Sequence, residues 1–486
     1  MRLIERLRVE ILDYQISYPH RPFIIPYPVM HQTSEASPPA VKERGRLLRI
    51  LGVGFGLAII VGNTIGAGIL RTPGDVASRL PDVWPFLGVW LAGGLYALLG
   101  AISIAELGAM LPRSGGQYVF ARYALGDYAG FVVGWSDWIS TCGTSAAVSI
   151  VIGEYLGALF PLLADQKIPV ALVVVMFFTL LQWRGLRWGS TTQNITGLFK
   201  SLAFIALVVA CFIFGSRADG TTTAETVSTA SSYSFIAVIL ALQAVIYTYD
   251  GWTGVVYFSE EVQNPSRDIP RAVFGGVLSV IAIYMLMNLA LVYVLPMSKI
   301  AGDPFAAGTA ANAVFGAHGD TVIRVLMIIS MLSAINAYQL MSTRVIFAMS
   351  RDGLFPGRLI DVNKGGTPTG ALFASTSVAI FFIIGGAFED SRRIFENIIA
   401  VLAFFFVASY AASFISLFVL RRREPDRERP YKAWGYPLTT GLVLVGSIAF
   451  LVGAIVGDRR NSFYALLLLA LSYPAFLLLR RTASSS

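Results

Sequence analysis

The sequence predicts an all-α polytopic membrane protein with twelve transmembrane helices. Of its 486 residues, 55% are hydrophobic and only 14% carry a charged side chain, whereas ordinary soluble domains contain about 25% charged residues. Apolar stretches of about 20 residues recur along the chain, and each is long enough to cross a hydrocarbon core of roughly 30 Å. Two of these stretches are interrupted by glycine-containing polar motifs. These three observations exclude a soluble globular protein.

The twelve predicted spans are joined by mostly short connections. They cover residues 48–76, 85–111, 130–160, 168–184, 193–215, 234–262, 271–296, 320–350, 370–388, 394–421, 436–456 and 461–480. Spans one, six and eight are longer than a bilayer requires, so we expect breaks or tilts in them.

The two interruptions lie in spans one and six. The first runs from Gly62 to Gly68 (Gly-Asn-Thr-Ile-Gly-Ala-Gly), and the second runs from Tyr247 to Trp252 (Tyr-Thr-Tyr-Asp-Gly-Trp). Glycine costs roughly 1 kcal/mol against alanine in a helix, and unwound backbone at bilayer depth is tolerated only inside protein or along a cavity. Interrupted helices in corresponding positions of two halves indicate a transporter's binding site. The alternative is a pair of close glycine contacts between helices.

The positions of the breaks predict two repeats of five spans. Because five is odd, the second repeat must enter the membrane from the other side, which gives an inverted repeat followed by two extra helices. The expected organisation is an N-terminal tail at 1–46, a first repeat at 47–215, an external loop at 216–232, a second repeat at 233–423, a cytoplasmic loop at 424–435, helices eleven and twelve at 436–480 and a tail at 481–486.

The distribution of basic residues predicts the orientation. The side of the membrane with both termini collects more than twice as many Lys and Arg residues as the other side. Both termini are therefore expected in the cytoplasm, with the chain in the cell (inner or plasma) membrane.

The tail at 1–46 contains six prolines and is expected to be disordered. Its first residues stay open to two interpretations, a short amphipathic helix or sequence upstream of the true start.

The reactive side chains form no catalytic or metal-binding pattern. Cys142 and Cys211 fall within apolar spans, the three histidines are not clustered, and no HExxH or GxSxG motif is present. We therefore expect no enzyme activity, no metal and no cofactor. A channel would need repeated pore motifs, and none is visible. The positive-inside rule accounts for the net charge of +8, so no nucleic-acid partner is expected.

Several motifs, in order along residues 46–480, resemble the amino acid–polyamine–organocation (APC) superfamily of transporters. The matching segments are Val61–Ile69, Ala105–Tyr118, Tyr249–Trp252, Glu260–Pro265 with Ile269–Arg271, Gln193 to Lys200, and Asn336 to Pro356. The segments Tyr249–Trp252 and Glu260–Pro265 are similar to the L-type exchanger branch.

The resemblance implies a LeuT-like fold that moves amino acids across the bilayer by alternating access. The branch mostly exchanges neutral amino acids without sodium, and its animal members pair with a glycoprotein through a cysteine between spans three and four. The corresponding loop here, residues 161–168, has no cysteine. We therefore expect no covalent heavy-chain partner.

Four positions depart from the family pattern. Ala67 stands where the family often has Ser, Thr253 replaces a common Asn, and Asn63 and Thr64 are more polar than usual. These changes leave the mechanism intact and leave the identity of the substrate open.

An amino acid brings a carboxylate and an ammonium into a low-dielectric site, and both must be satisfied. The half-helix that starts near Gly66 offers free N–H groups to the carboxylate, and the half-helices that end near Asn63 and Tyr247 offer carbonyls to the ammonium. The predicted binding residues are Asn63, Thr64, Ile65, Gly66, Ala67, Gly68, Tyr247, Thr248, Asp250 and Gly251.

Three residues near the second break keep alternative interpretations. Asp250 either attracts the ammonium or caps the second half of span six. Tyr247 matches the position of an aromatic gate in the family, and the alternative is ordinary packing. Trp252 is expected to pack rather than to contact a ligand.

Besides Asp250, five acidic residues in or near the spans are candidates for a role. We expect Glu106 and Glu154 to reach water, and Glu260 and Glu261 to pair with arginines such as Arg267. Asp137 in span three has no assigned role beyond structure.

Lys200 is the one basic residue well inside a span, about 10 Å from the membrane surface along the helix. In the fold that the resemblance implies, span five packs beside the first break, where sodium-coupled relatives bind an ion. The Lys200 ammonium is expected to replace that ion as a fixed or protonatable cation. It would bond to carbonyls near Gly62 and to Ser330 or Ser333. The alternative is a packed lysine whose amine merely finds a carbonyl.

The sequence thus predicts a secondary transporter for neutral amino acids, working by sodium-independent exchange or by proton-coupled uptake. A carrier of cationic amino acids or polyamines is the alternative, and it would need carboxylates at mid-membrane. Asp250 and Asp137 are the only candidates for that role.

Overall fold

The computed structural model describes residues 45–66, 68–215, 234–386, 391–457 and 459–483. The predictions for most of the N-terminal tail, for Ala67, for the loop at 216–232 and for the last three residues concern residues outside this part of the chain.

The described chain is almost entirely helical. In chain order, the α-helices are α1 Val53–Thr64, α2 Gly68–Arg79, α3 Val83–Met110, α4 Gln117–Leu125, α5 Asp127–Leu159, α6 Lys167–Arg184, α7 Leu186–Phe214, α8 Phe235–Thr248, α9 Pro265–Val294, α10 Met297–Ile300, α11 Ala306–Phe315, α12 Gly319–Arg351, α13 Thr369–Gly385, α14 Ser391–Arg423, α15 Leu438–Gly457 and α16 Arg459–Ala483. A 3₁₀-helix at Gly254–Phe258 follows α8.

Within the described residues, nine helical segments are long and apolar enough to cross a membrane, or ten if the bent pair of α1 and α2 forms one span. α8 and α13 are shorter apolar helices. The chain is therefore an all-helical polytopic membrane protein, as the sequence predicts.

Both predicted breaks are confirmed. α1 ends at Thr64 and α2 begins at Gly68, with 47° between the two helices. α8 ends at Thr248, and three residues later Gly251 has φ +110°. That value lies in the left-handed region that favours glycine, so the chain can turn there before the 3₁₀-helix starts.

α1, which carries the first break, and α5 lie inside the bundle. α1 packs against α7 and α9, and α5 packs along α12. The most apolar window of α5 is 72% buried, whereas those of α15 and α16 are only 22% buried. The last two helices therefore lie at the periphery of the bundle, where apolar side chains face lipid.

A backbone bridge and a buried ion pair close the bundle at the end where α1 begins. Leu51 N–H donates to the Glu261 carbonyl (2.9 Å), and Gln263 N–H donates to the Leu51 carbonyl (2.8 Å). The Glu261 carboxylate lies 2.9 Å from the Arg344 guanidinium, and both side chains are fully buried. The segment before the first break and the segment after the second break are thereby joined to each other and held against α12.

The prediction that Glu260 and Glu261 pair with arginines is confirmed, but the arginine named for that role, Arg267, is not the partner of either. Arg267 is on the exposed start of α9 and pairs with Asp268, whereas the chain at Glu260 and Glu261 faces α12. Glu260 accordingly pairs with Arg351 at 2.8 Å.

The prediction that Glu106 reaches water is also wrong. Its side chain is fully buried and lies 2.6 Å from Arg421 and 3.2 Å from Arg429, and it accepts the backbone N–H of Ala433. The loop at 424–435 folds back over the end of α3, so this charge-rich segment is partly packed rather than fully solvated. Glu154 is exposed, as predicted.

Replacing Glu261 by alanine leaves the Arg344 charge buried without its partner. Breaking one side of a buried ion pair costs about 3–5 kcal/mol, so the thermal unfolding midpoint of purified Glu261→Ala protein in detergent is expected to fall sharply. The neighbouring Glu260→Ala variant is the matched control, because the Glu260–Arg351 pair is partly exposed and such pairs contribute about 1 kcal/mol or less. Equal midpoints for the two variants would contradict this interpretation.

Candidate functional site

A narrow cavity lies between the two breaks and α5, α12 and α14. Its volume is about 10 Å³, near the space that one buried water molecule requires. The space between these side chains is therefore smaller than an amino acid. It is lined by Asn63, Gln117, Thr141, Asp250, Gly251, Thr253, Tyr257, Tyr338, Met341, Phe406 and Tyr410.

Three of the predicted binding residues line this cavity and join the two breaks. Asn63 Nδ2–H donates to the Gly251 carbonyl at 3.2 Å, and Asp250 lies next to Gly251 on the cavity wall. The end of α1 and the turn after α8 are therefore in direct contact, although 188 residues separate them in sequence.

Tyr284 of α9 holds the two breaks together from the other side. Its hydroxyl lies 2.8 Å from the Thr64 carbonyl and 3.0 Å from the Thr248 carbonyl, and its side chain is fully buried. These are the last residues of α1 and α8, whose carbonyls have no partner within their own helices. Part of the carbonyl surface that was predicted to receive an ammonium is thus occupied by a protein hydroxyl.

The start of α2 is open at Gly66 and closed at Gly68. A Cβ atom added at Gly68 would lie 3.0 Å from Thr248 Cγ2, whereas one added at Gly66 would meet no atom within 4 Å. The Thr248 hydroxyl also bonds to that of Thr72 at 2.9 Å. A ligand can therefore approach the backbone closely at Gly66. Beside Gly68, the side chain of Thr248 on α8 fills the space.

The contacts of two residues near the second break bear on their interpretations. Asp250 accepts the hydroxyl proton of Tyr410, and the 3₁₀-helix starts only at Gly254 with Thr253 as its N-cap residue, so Asp250 is not the predicted cap. Trp252 is 2% exposed and stacks on Tyr410 at 4.9 Å between ring centroids, as expected for a packing residue. The gating role of Tyr247, which is partly exposed, stays a prediction.

Lys200 lies on α7 with its amine at the end of α1. Lys200 Nζ donates to the Gly62 carbonyl at 2.9 Å and also to the Ile65 carbonyl, and its side chain is 1% exposed. The C-terminal end of α1 carries the negative end of the helix dipole, which favours a cation. The predicted contact with Gly62 is present, and within the described residues the ammonium is bonded to carbonyl groups rather than to a carboxylate.

The two serines predicted to bond Lys200 contact its neighbours instead. Ser330 donates to the Ile65 carbonyl at 2.9 Å, so it shares an acceptor with the lysine. Ser333 accepts from Gln193 Nε2 (3.3 Å) and from Thr196 Oγ1 (3.1 Å) on α7. Gly62 lacks the side chain that would collide with Gln193. α12 therefore contacts the first break through the Ser330 hydroxyl and contacts α7 through the Ser333 hydroxyl. Neither contact is a hydrogen bond to Lys200.

Sequence reasoning missed several polar side chains at this site. They share one sequence feature, a hydrogen-bonding group within or beside an apolar span, and that feature could have identified them. They are Gln117, Thr141, Tyr257, Tyr284, Tyr338 and Tyr410.

Comparison with known proteins agrees with the geometry. The sequence profile of a family described as "Amino acid permease" matches residues 56–472, which is most of the chain.

Three characterised relatives are similar over nearly the same length. The serine/threonine exchanger SteT of Bacillus subtilis is 28% identical over 450 residues, covering 91% of this chain and 99% of the relative. The human b(0,+)-type amino acid transporter 1 is 28% identical, covering 79% of each chain. The mouse Asc-type amino acid transporter 1 is 28% identical, covering 80% of this chain and 74% of the relative.

Replacing Tyr284 by phenylalanine removes the hydroxyl shared by Thr64 and Thr248 and leaves two buried carbonyls without this donor. A buried polar group without a partner costs about 1–3 kcal/mol, so the thermal unfolding midpoint of Tyr284→Phe is expected to fall. Tyr293→Phe on the same helix is the matched control, because the Tyr293 hydroxyl has no described hydrogen bond. A midpoint for Tyr284→Phe equal to that of the control would show that the hydroxyl does not join the breaks.

Proposed function

The chain belongs to the amino acid permease family of the APC superfamily, and we propose that it transports neutral amino acids without sodium, by exchange or by proton-coupled uptake. It works by alternating access in this proposal, without an enzymatic step and without a covalent partner.

The buried ammonium of Lys200 is the observation that carries the sodium-independent part. A sodium ion needs several oxygen ligands, and the carbonyls of Gly62 and Ile65 beside the hydroxyl of Ser330 are groups of that kind. Lys200 Nζ already bonds to both carbonyls. A second cation in the same place would meet a like charge in a low-dielectric environment, which is strongly unfavourable. Lys200 thus takes the place of a coupling ion.

Contacts at both ends of the broken helices support alternating access. The Leu51–Glu261 bridge and the Arg344 ion pair close one end. At the other end, Arg71 bonds to Tyr155 at 3.0 Å, and Gly302 N–H donates to the carbonyl of Gly74 in α2 at 2.8 Å. Because both sets hold the broken spans, separating either set would open the site to one side of the membrane.

The helix packing supports twelve spans in two inverted repeats. In this assignment α8 with its 3₁₀-helix is span six and α13 is span nine. Spans two and seven (α3 and α9), three and eight (α5 and α12) and four and nine (α6 and α13) then pack in pairs, as related members of two intertwined repeats would. The excess of basic residues on the side of the termini supports a cytoplasmic location for that side.

A zwitterionic substrate fits the polarity of the site. The N-terminal end of α2 and the open space at Gly66 favour a carboxylate. The Asp250 carboxylate and the carbonyl ends of α1 and α8 favour an ammonium. Because the narrow cavity has room for about one water molecule, binding requires that Met341, Phe406 or the tyrosines move outward.

One observation favours a cationic amino acid as the second candidate substrate. Asp250 lies on the cavity wall, and within the described residues its carboxylate bonds to a neutral hydroxyl and pairs with no cation. A substrate with a second positive charge would supply the missing counter-charge, whereas a neutral substrate uses Asp250 for its α-ammonium.

Purified protein in liposomes loaded with amino acids is expected to exchange labelled neutral amino acids from the outside in sodium-free choline medium. A panel of neutral and cationic amino acids measured side by side identifies the substrate class. Protein-free liposomes provide the background. Uptake that requires sodium would reject the role proposed for Lys200, and preference for arginine or lysine over all neutral amino acids would select the second candidate.

Lys200→Ala removes the ammonium from the first break, so the Gly62 carbonyl loses this donor and the Ile65 carbonyl keeps only Ser330. We expect exchange to fall by at least about tenfold, the equivalent of 1.4 kcal/mol in the rate-limiting barrier, while the protein remains monodisperse in detergent. Lys299→Ala, which changes an exposed lysine, is the control and is expected to exchange at the wild-type rate. Normal exchange by folded Lys200→Ala would favour the alternative of a merely packed lysine.

A further inference from the structure

Asp137 of α5 is a buried carboxylate held by one neutral side chain. The Tyr257 hydroxyl lies 2.8 Å from Oδ2 and 3.0 Å from Oδ1, and Asp137 is 2% exposed. Thr141 approaches Oδ1 only at 3.5 Å, and its proton goes to the Asp137 backbone carbonyl at 2.7 Å. The ionised carboxylate therefore has one strong donor, whereas a protonated carboxyl would need no counter-charge.

The charged groups on the helices around α5 either pair with residues other than Asp137 or lie near the ends of their helices. Arg344 of α12 pairs with Glu261, and Arg122 of α4 pairs with Asp127 and Asp352. The charged residues of α6, α14 and α16 and the other charged residues of α12 lie within two turns of the ends of their helices, and α13 has none. The titratable groups that interact with Asp137 or Tyr257 carry no positive charge: Cys142, Asp250 and Tyr410.

Tyr257 connects Asp137 to the central cavity. The tyrosine lies in the 3₁₀-helix after the second break and lines the cavity, so its hydroxyl separates the carboxylate from that space. Gly116 makes this position possible, because a Cβ atom there would lie 2.6 Å from the Tyr257 ring. Gly115 N–H also donates to the Tyr257 carbonyl at 3.1 Å. Asp137 is thus one side chain away from the proposed substrate.

We propose that Asp137 is a proton-binding site through which the carrier takes up one proton with each amino acid. This inference rests on the proposed function and selects its proton-coupled form. A proton from water on one side adds to the Asp137 carboxylate while the site is open to that side. The same proton leaves to water on the other side after the 3₁₀-helix and Tyr257 have moved. One neutral amino acid and one positive charge cross the membrane in each cycle.

Neutralising the carboxylate separates proton coupling from amino acid binding. Asp137→Asn keeps the size of the side chain and an oxygen acceptor for Tyr257. We compare it with wild type in two liposome assays: exchange against internal amino acid at equal pH, and uptake into empty liposomes driven by an inward proton gradient of one pH unit. Such a gradient supports at most about tenfold accumulation with one proton per amino acid.

Wild type is expected to accumulate a neutral amino acid and to carry inward current on a solid-supported membrane. Asp137→Asn is expected to lose accumulation and current while keeping exchange within about threefold, less than one tenfold step of free energy. Asp127→Asn is the matched control on the same helix, because Asp127 is partly exposed and paired with Arg122. This control is expected to accumulate normally.

Each other outcome has a defined meaning. Wild type that exchanges without proton-driven uptake, or Asp137→Asn that still accumulates, overturns the inference while the proposed function stands. Equal loss of exchange and accumulation in folded Asp137→Asn assigns a structural role and also overturns it. Absence of all amino acid transport by wild type rejects the proposed function itself.

If Asp137→Asn does not fold, the Tyr257→Phe variant tests the inference instead. This variant removes the one strong donor to the ionised carboxylate, so the pH dependence of uptake should shift toward higher pH. A pH profile identical to that of wild type would overturn the inference.

Discussion

The arrangement at the centre of this protein depends on a bond between two groups that are each unfavourable in a bilayer. A lysine ammonium buried alone would cost several kcal/mol, and a carbonyl released from a broken helix would cost about 1–3 kcal/mol. Lys200 and the carbonyls of Gly62 and Ile65 satisfy one another, and the dipole of α1 adds to the attraction. The first span can therefore stay broken at mid-bundle, and α7 is fixed beside it.

Charge is distributed differently at the ends and at the centre of the bundle. Near the ends, Glu261 with Arg344 and Glu106 with Arg421 form ion pairs that tie helices together. At the centre, Lys200, Asp137 and Asp250 bond to neutral carbonyls and hydroxyls. Paired charges suit contacts that must be rigid in each state. Unpaired ionisable groups suit a site that accepts a charged ligand or a proton, because the new partner replaces no ion pair.

The sequence was sufficient for the class of fold and for both breaks, because these follow from hydropathy and glycine chemistry. The Lys200–Gly62 contact came from the family resemblance, which implies that span five packs beside the first break. The sequence was insufficient for contacts that depend on how distant segments meet. Glu106 is buried beside Arg429 and Ala433 because the loop at 424–435 folds back over the end of α3. Glu261 faces α12 rather than Arg267 because of the turn after the 3₁₀-helix. The role of Tyr284, which joins Thr64 to Thr248, likewise required the three-dimensional arrangement.

The small size of the cavity has a consequence for substrate selection. It has space for about one water molecule, so any amino acid that binds must displace the side chains that line it. A larger substrate side chain requires a larger displacement, and close-packed side chains resist such changes in volume. Discrimination among amino acids therefore depends on how far Met341, Phe406 and the neighbouring tyrosines can move, in addition to the polar groups that hold the carboxylate and the ammonium.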